Sequence, residues 1–209
     1  MSRLRVPFAA SLYAGPGFQT VARAASAFAD CVEWPKVATW VPRLASVGIA
    51  VPVTFVAQGP GVTVGGYDDE IVERGRVPSR ERSWHDFLNM LVWATFPRAK
   101  TALHRRQREA VARARSLNPA APRRDRGGDA LAMLDEGGVL AVGSKRLVFG
   151  HALYEHLVAG ERNVPAFVVP LQALPTVEHV DQALALLLAD PTSFASPTDL
   201  GRAKLAELA

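Results

Sequence analysis

The sequence has few residues that cross-link a chain, and it has no long apolar run. Cys31 is the single cysteine among 209 residues, which excludes an internal disulfide and a zinc site built from two or more cysteines. No stretch of about 18 uncharged apolar residues occurs, so no segment is typical of a transmembrane helix. Pro7, Ser11 and Pro16 interrupt the apolar N-terminal stretch, which argues against a signal peptide. We therefore expect a cytoplasmic protein with no membrane association.

The motifs of several enzyme classes are also missing. The chain contains no G-x-S-x-G nucleophile elbow, no phosphate-binding P-loop and no H-E-x-x-H zinc motif. No segment repeats at a period of about 20–50 residues, which excludes a solenoid. A hydrophobic content of 49% excludes a disordered chain and suffices for a buried core. The remaining class is a globular domain whose functional residues are scattered along the chain.

Hydrophobic patterning predicts an α+β fold, a single mixed domain with several helices packed on a small, largely antiparallel sheet. The predicted helices lie at 17–29, 35–44, 83–96, 98–116, 147–159, 177–189 and 198–208. The predicted extended segments are 51–57, pieces of 62–74, 166–169, and a hairpin whose Gly-Gly turn joins 129–135 to 139–142. We expect residues 1–209 to form one domain, with an exposed basic loop at 117–128 and a C-terminal appendage at 196–209.

Basic residues are concentrated in one segment. Residues 98–126 carry a net charge of +8, whereas residues 1–97 carry +1 and residues 127–209 carry −5. One interpretation is a surface that binds phosphate groups of nucleic acid or of a smaller anion. The arginines that would form it include Arg105, Arg106, Arg108, Arg123 and Arg124. The alternative is a solvated helix face balanced by the acidic C-terminal third, and the lack of aromatic residues within 98–128 argues against stacking of single-stranded bases.

The densest polar motif lies in the predicted helix 83–96. His85 and Asn89 are four residues apart, so they share one face of a helix. Asp86 adjoins His85, and aromatic residues flank the group. A histidine, a carboxylate and an amide at the rim of a core can bind a divalent metal or supply an acid–base pair. In the alternative interpretation, Asp86 only caps the helix after Ser83, and His85 only hydrogen-bonds the backbone.

Further candidate ligands follow in the C-terminal half. His151 and Glu155 are four residues apart on a predicted helix, a spacing that lets two side chains reach one metal ion. The same spacing also occurs in ordinary surface pairs. Asp129 is a third candidate ligand. Asp135 and Glu136 precede two glycines, and that pattern is more typical of a turn than of a metal site.

Several of these runs resemble a known bacterial family. Residues 77–103 contain V-P-S-R, W-H-D-F-L-N and F-P-R-A-K, residues 129–136 contain D-A-L followed by D-E, and residues 149–155 contain F-G-H-A-L-Y-E. These runs are similar, in the same order, to motifs of the family known as domain of unknown function 3025, over about residues 50–195. The family implies no established reaction. It implies that the polar motif residues converge on one pocket, namely His85, Asp86, Asn89, Asp129, Asp135, His151 and Glu155.

The leading hypothesis is a metal-assisted hydrolase that acts on an anionic or phosphate-bearing substrate. Catalysis is assigned to His85, Asp86 and Asn89, metal binding to His151, Glu155 and Asp129, and anion binding to Arg80, Arg98 and Lys100. The cofactor would be a divalent metal. The alternative is a non-catalytic module that binds nucleic acid or a protein partner through residues 98–126. A third interpretation makes His85 and the neighbouring tryptophans parts of the core.

Overall fold

The structure is a computed structural model that describes residues 6–58, 66–117 and 125–207. The helices, numbered α1 to α8 in chain order, span Ala22–Ser26, Trp40–Ser46, Tyr67–Arg74, Trp84–Thr95, Pro97–Leu117, Arg126–Gly137, His151–Val158 and Val177–Ala189. The strands, numbered β1 to β6, span Thr54–Ala57, Arg76–Ser79, Gly138–Val142, Lys145–Val148, Pro165–Leu171 and Gly201–Lys204. Helices and two small sheets confirm the predicted α+β class.

The larger sheet has the strand order β4-β3-β5-β6 and is mixed. β3 pairs antiparallel with β4 and parallel with β5, and β5 pairs antiparallel with β6. β1 and β2 form a separate parallel pair. Because β6 is an edge strand of the larger sheet, the predicted C-terminal appendage 196–209 supplies part of the fold. Residues 198–208 were predicted to be helical, but within the described residues they contain β6 and short 3-10 turns.

The predicted hairpin around the Gly-Gly pair is wrong in its first arm, because residues 126–137 form α6. Asp125 begins this helix, and its side chain accepts a hydrogen bond from the Gly128 N–H. The apolar residues of α6 recur at helical spacing and are buried, so the period of 3.6 outweighs the turn signal of the two glycines. β3 instead turns into β4 at Gly143, whose φ of 58° favours glycine.

Of the other local predictions, some are confirmed and some are wrong. Ser83 begins α4 as predicted, since its Oγ accepts the Asp86 N–H, and α8 has the predicted bounds. Of the predicted extended segment 62–74, residues 67–74 form α3, while residues 62–65 lie outside the described part of the chain. Gly75 ends α3 with φ 61° and donates its N–H to the last turn.

The core is centred on α4, whose residues 87–93 are all buried. α5 packs along α8, and Asp181 of α8 accepts the backbone N–H groups of Arg98 and Ala99 at 3.1 and 2.8 Å. This carboxylate satisfies donors in the first turn of α5 that have no partner within the helix. Within the described ranges, no helix is both long enough and apolar enough to cross a bilayer.

Candidate metal centre

Three helices bring two histidines and one glutamate together. His85 lies in the first turn of α4, Glu136 in the last turn of α6, and His151 is the first residue of α7. The Nε2 atoms of His85 and His151 are 3.1 Å apart, and the Glu136 Oε2 is 3.5 Å from the His151 Nε2. One potential ligand atom from each residue lies within 4.8 Å of the other two. The three side chains therefore form a candidate binding site for one metal ion.

Gly150 sets the position of His151 against the end of α6. A Cβ atom at Gly150 would lie 2.4 Å from the Gly138 N and 2.5 Å from the Glu136 O. The Gly150 N–H also donates to the Gly138 carbonyl at 2.8 Å. Because glycine has no Cβ, the two backbones can approach this closely. The approach places the start of α7 beside Glu136.

Each histidine turns its second ring nitrogen towards a carboxylate. The His85 Nδ1 is 3.3 Å from the Glu155 Oε2. The His151 Nδ1 is 3.9 Å from the Asp135 Oδ1, which is beyond hydrogen-bonding distance, and it has no hydrogen-bond partner among the described residues. Metal-binding histidines commonly have such a carboxylate neighbour, because it fixes the ring orientation and leaves the Nε2 lone pair for the metal.

A buried lysine holds one of these carboxylates. Lys100 is 0% exposed and forms an ion pair with Asp135. Its Nζ also lies 5.6 Å from the centre of the Trp93 ring, within the range of a cation–π contact. Burial opposes ionisation of Asp135, but the charge of Lys100 outweighs it and holds the pKa of this carboxyl well below its ordinary value. Asp135 is therefore an anion beside His151.

The two histidines differ in their preferred protonation. Burial lowers the pKa of His151 to about 3, against the opposing charge of Asp135. Burial also acts to lower the pKa of His85, but the hydrogen bond with Glu155 and the charges of Glu136 and Asp86 outweigh it, so this pKa is raised. A protonated His85 can thus donate its Nε2–H to the neutral His151. A cation between the two rings would take the place of that proton.

The residues present fit a divalent metal. Two imidazoles and one carboxylate are a donor set used for first-row divalent metals. The Glu136 side chain is 42% exposed, yet its Oε2 is buried and has no hydrogen-bond partner among the described residues. A buried carboxylate oxygen without a partner is costly, and a cation would satisfy it. The site also has a route to solvent, because the side chains of His85 and Glu155 are 23% and 22% exposed.

The predicted catalytic residues are only partly at this cluster. Asp86 accepts hydrogen bonds from the Arg80 backbone N–H at 2.7 Å and from its guanidinium at 2.7 and 3.0 Å. Both oxygens of Asp86 are used in this pair, so the structure does not bring Asp86 into the cluster. Asn89 is buried one helical turn from His85. Its side chain interacts with the Tyr67 hydroxyl of α3, and it has no hydrogen bond with His85 within the described part of the chain.

The predicted metal ligands are also rearranged. Asp129 is exposed in the first turn of α6, and about 10 Å of helix separates it from Glu136. Asp129 therefore lies apart from the histidines. Glu136, which the sequence pattern assigned to a turn, lies beside them instead. Glu155 contacts His85 and does not join His151 as a second ligand. The sequence signal that could have placed Glu136 on a helix is its position in the apolar helical pattern that Asp125 begins.

The three residues predicted to bind an anion do not form a group. Arg80 is paired with Asp86, and Lys100 is buried against Asp135. The Arg98 side chain is exposed, while its backbone N–H bonds Asp181. These positions leave no cluster of free cations at the candidate metal centre among the described residues.

Part of the basic segment is used within the fold. Arg106 donates to carbonyls at the end of α8, including that of Asp190 at 3.0 Å, and Arg108 pairs with Asp69 and Glu73 of α3. Two exposed arginines, Arg105 and Arg113, have no ion pair within the described ranges and line a cleft of about 510 Å³ between α5, α6 and α8. Arg123 and Arg124 lie outside the described residues.

The fold and the cluster define an α+β protein with a candidate metal centre, and a comparison with known families gives a match over part of the chain. Residues 53–148 match the model of the family described as "Protein of unknown function (DUF3025)", which confirms the resemblance inferred from the motifs. The matched segment contains His85 and Glu136 and ends before His151. No curated protein matches the chain significantly.

One solved structure is similar over most of the chain. It is phenylalanine hydroxylase from Chromobacterium violaceum, described as bound to cobalt, with a TM-score of 0.50 and 14% sequence identity. The match covers 87% of this chain and 80% of that one. At this identity the similarity concerns the fold alone.

Proposed function

We propose that this chain is a metal-dependent enzyme that holds a divalent metal with His85, Glu136 and His151. The observation that carries the proposal is the pair of Nε2 atoms facing each other at 3.1 Å, with the Glu136 carboxylate 3.5 Å from one of them. Two imidazole lone pairs meet in this way only with a proton or another cation between them. The carboxylates of Glu155 and Asp135 beside the outer ring nitrogens support the same conclusion.

When bound, the metal would supply a Lewis acid for hydrolysis or, if it is iron, a redox centre. Glu155 would orient His85 through its hydrogen bond, and Asp135 would place a negative charge beside His151. Glu155 is also a candidate acceptor for a proton from a reacting group, because it lies at the partly exposed rim of the site. With Glu136 bound to a divalent ion, the charges of the ion, Glu136 and Glu155 cancel, so the centre gives no preference for the anionic substrate predicted from the sequence.

Metal content of the purified protein tests this proposal. We expect stoichiometric divalent metal after reconstitution with zinc, iron(II) or cobalt(II), the last chosen because the similar solved structure is described as bound to cobalt. Zinc as the preferred ion favours a hydrolase, and iron favours oxidation. Saturating metal should also stabilise the fold, by about 2.7 kcal/mol at a free concentration 100 times the dissociation constant.

Ligand variants define the site. His85→Ala, His151→Ala and Glu136→Gln should each lose the bound metal and the metal-dependent rise in Tm. The matched control is His156→Ala, since His156 lies on the same helix as His151 but has a side chain that is 43% exposed and paired with Glu161. Wild-type protein that binds none of the three metals, or ligand variants that bind as well as the control, would overturn the proposal.

A second candidate function, binding of nucleic acid by the basic segment, has narrower support. It rests on Arg105 and Arg113, whose exposed guanidinium groups line the cleft between α5, α6 and α8. Arg106 and Arg108 support it less, because both are used within the fold. Its test depends on the charge of the whole molecule and is given in the Discussion.

A further inference from the structure

Three buried polar atoms near the candidate metal centre have no hydrogen-bond partner among the described residues. They are the Asn89 Oδ1, the Trp93 Nε1 and the His104 Nε2. The three residues are 6%, 0% and 2% exposed. Buried polar atoms without partners are rare, because folding removes their bonds to water without replacement. Three such atoms on neighbouring side chains could be satisfied together by a polar group from outside the chain.

The side chains that carry these atoms contact one another. The rings of Trp93 and His104 are parallel within 4°, with their centres 5.4 Å apart. Tyr67 packs its ring edge against His104, with centres 5.8 Å apart. The Asn89 side chain interacts with the phenol of Tyr67. The four side chains thus form one cluster between α3, α4 and α5.

The hydrogen-bonding character of the cluster follows from Asp68. The Asp68 Oδ1 lies 2.9 Å from the His104 Nδ1, so a neutral His104 carries its proton on Nδ1 and presents Nε2 as an acceptor. The Asn89 Oδ1 is a second acceptor, and the Trp93 Nε1 is a donor. A ligand group that satisfies all three atoms must both donate and accept hydrogen bonds.

The charges around the cluster disfavour an anion. Asp68 contacts His104 directly, and Asp135 lies on the other side of Lys100, which is the one cation facing Trp93 within the described ranges. Two carboxylates against one ammonium leave the surroundings negative. An uncharged polar group fits this environment better than a carboxylate or a phosphate.

The cluster adjoins the candidate metal centre. His85, Asn89 and Trp93 are spaced by four residues along α4, so they lie on one face of that helix. Asp135 contacts both Lys100 and, at 3.9 Å, the His151 Nδ1. A substrate group held by Asn89, Trp93 and His104 would therefore lie about one helical turn from the metal ligands.

We propose that Asn89, Trp93 and His104 form a substrate-binding subsite beside the metal centre, and that it takes an uncharged group with both a donor and an acceptor, of which a carboxamide is the simplest. The inference deepens the proposed function, because it assigns the substrate class of the same site. It does not depend on the metal for its test.

The indole N–H of Trp93 reports on the subsite by nuclear magnetic resonance. We expect titration of ¹⁵N-labelled protein with acetamide to shift the Trp93 Nε1–H resonance saturably, and titration with isosteric acetate at the same pH to leave it in place. Trp40 and Trp84 are internal controls, because their Nε1 atoms already donate to backbone carbonyls. Trp93→Phe assigns the resonance. No saturable shift with acetamide, or an equal shift with acetate, would overturn the proposal.

Two variants separate this proposal from the metal site. His104→Phe keeps a ring against Trp93 but removes both nitrogens, so it should abolish the acetamide shift while metal content stays at the wild-type level. His85→Ala should lose metal and keep the acetamide shift. If wild-type protein binds acetamide but no metal, the subsite stands and the proposed function fails. If it binds metal but not acetamide, the reverse holds.

Discussion

At the scale of single residues, the least expected feature is a lysine in the core. Lys100 is 0% exposed, and its partner Asp135 has a side chain only 14% exposed. Removing one member of a buried ion pair leaves the other charge without compensation, which costs far more than the pair contributes relative to apolar residues. The pair therefore makes each partner depend on the other.

We expect Lys100→Met to lower the free energy of unfolding by about 3–5 kcal/mol. Adding Asp135→Asn in the same chain should restore most of the loss. The matched control is Arg74→Met, which breaks a surface pair with Glu70 on the same helix and should change stability little. Urea unfolding with a chelator present measures all four proteins without a contribution from metal. A double variant as unstable as the single one would contradict the explanation.

The effect of Lys100→Met should depend on pH in a known direction. Lys100 holds the pKa of Asp135 below its ordinary value of 3.8, so the stability from this pair is present above that value and is lost as the pH falls towards the folded-state pKa. In the variant, Asp135 can accept a proton at low pH and lose its uncompensated charge. The difference between the two proteins should thus be largest near neutrality and shrink in acid.

At the scale of elements, the site depends on how closely α7 approaches the end of α6. Gly150 lies against the backbone of Glu136, Gly137 and Gly138. The sequence pattern predicted a helix that contains His151, but it predicted a strand where α6 lies, and neither pattern indicates the contact between them. The contact itself decides whether His151 reaches Glu136.

We expect Gly150→Ala to lower stability by about 1–3 kcal/mol and to weaken metal binding, because its Cβ would meet backbone atoms at 2.4–2.5 Å. These atoms cannot move without shifting α6 or α7. Gly15→Ala is the control, since nothing lies within 4 Å of a Cβ there. Thermal unfolding and metal titration measure both variants. Wild-type metal affinity in Gly150→Ala would show that the close approach is not required.

At the scale of the whole molecule, the net charge of +4 hides a strongly uneven distribution. The +8 of residues 98–126 is only partly balanced by ion pairs inside the fold, those of Lys100 with Asp135 and of Arg108 with Asp69 and Glu73. Arg105 and Arg113 remain exposed. The acidic C-terminal third therefore does not account for all of the basic segment.

If this surface binds nucleic acid, the double variant Arg105→Gln, Arg113→Gln should weaken binding to a DNA duplex at low salt. The plot of log K against log salt has a negative slope, and each lost phosphate contact should reduce its magnitude by about 0.9. Arg108→Gln is the control, because Arg108 already pairs with Asp69 and Glu73. Fluorescence anisotropy over a salt series measures both variants. Equal binding of the duplex by the double variant and by wild-type protein would contradict the proposal that this surface binds nucleic acid.

The sequence alone determined the features that depend on neighbouring residues. Ser83 and the helical period after it predict α4, and the apolar spacing of 177–189 predicts α8, because capping and amphipathic patterning act within one or two turns. The same reasoning identified His85, His151 and Glu155 as candidates. It failed for α6, where two glycines suggested a turn, and it missed His104 and Asp68, which no local motif marks.

Only the tertiary structure decided which candidates meet. His85 and His151 are separated by 66 positions in the chain, and no local pattern indicates that their Nε2 atoms lie 3.1 Å apart. The packing of α4, α6 and α7 brings Glu136 to them, leaves Asp129 in solvent and pairs Asp86 with Arg80. The sequence gives the chemistry of each side chain. Which side chains form one ligand set depends on the distances between them, and those distances are set when the apolar faces of the helices are buried.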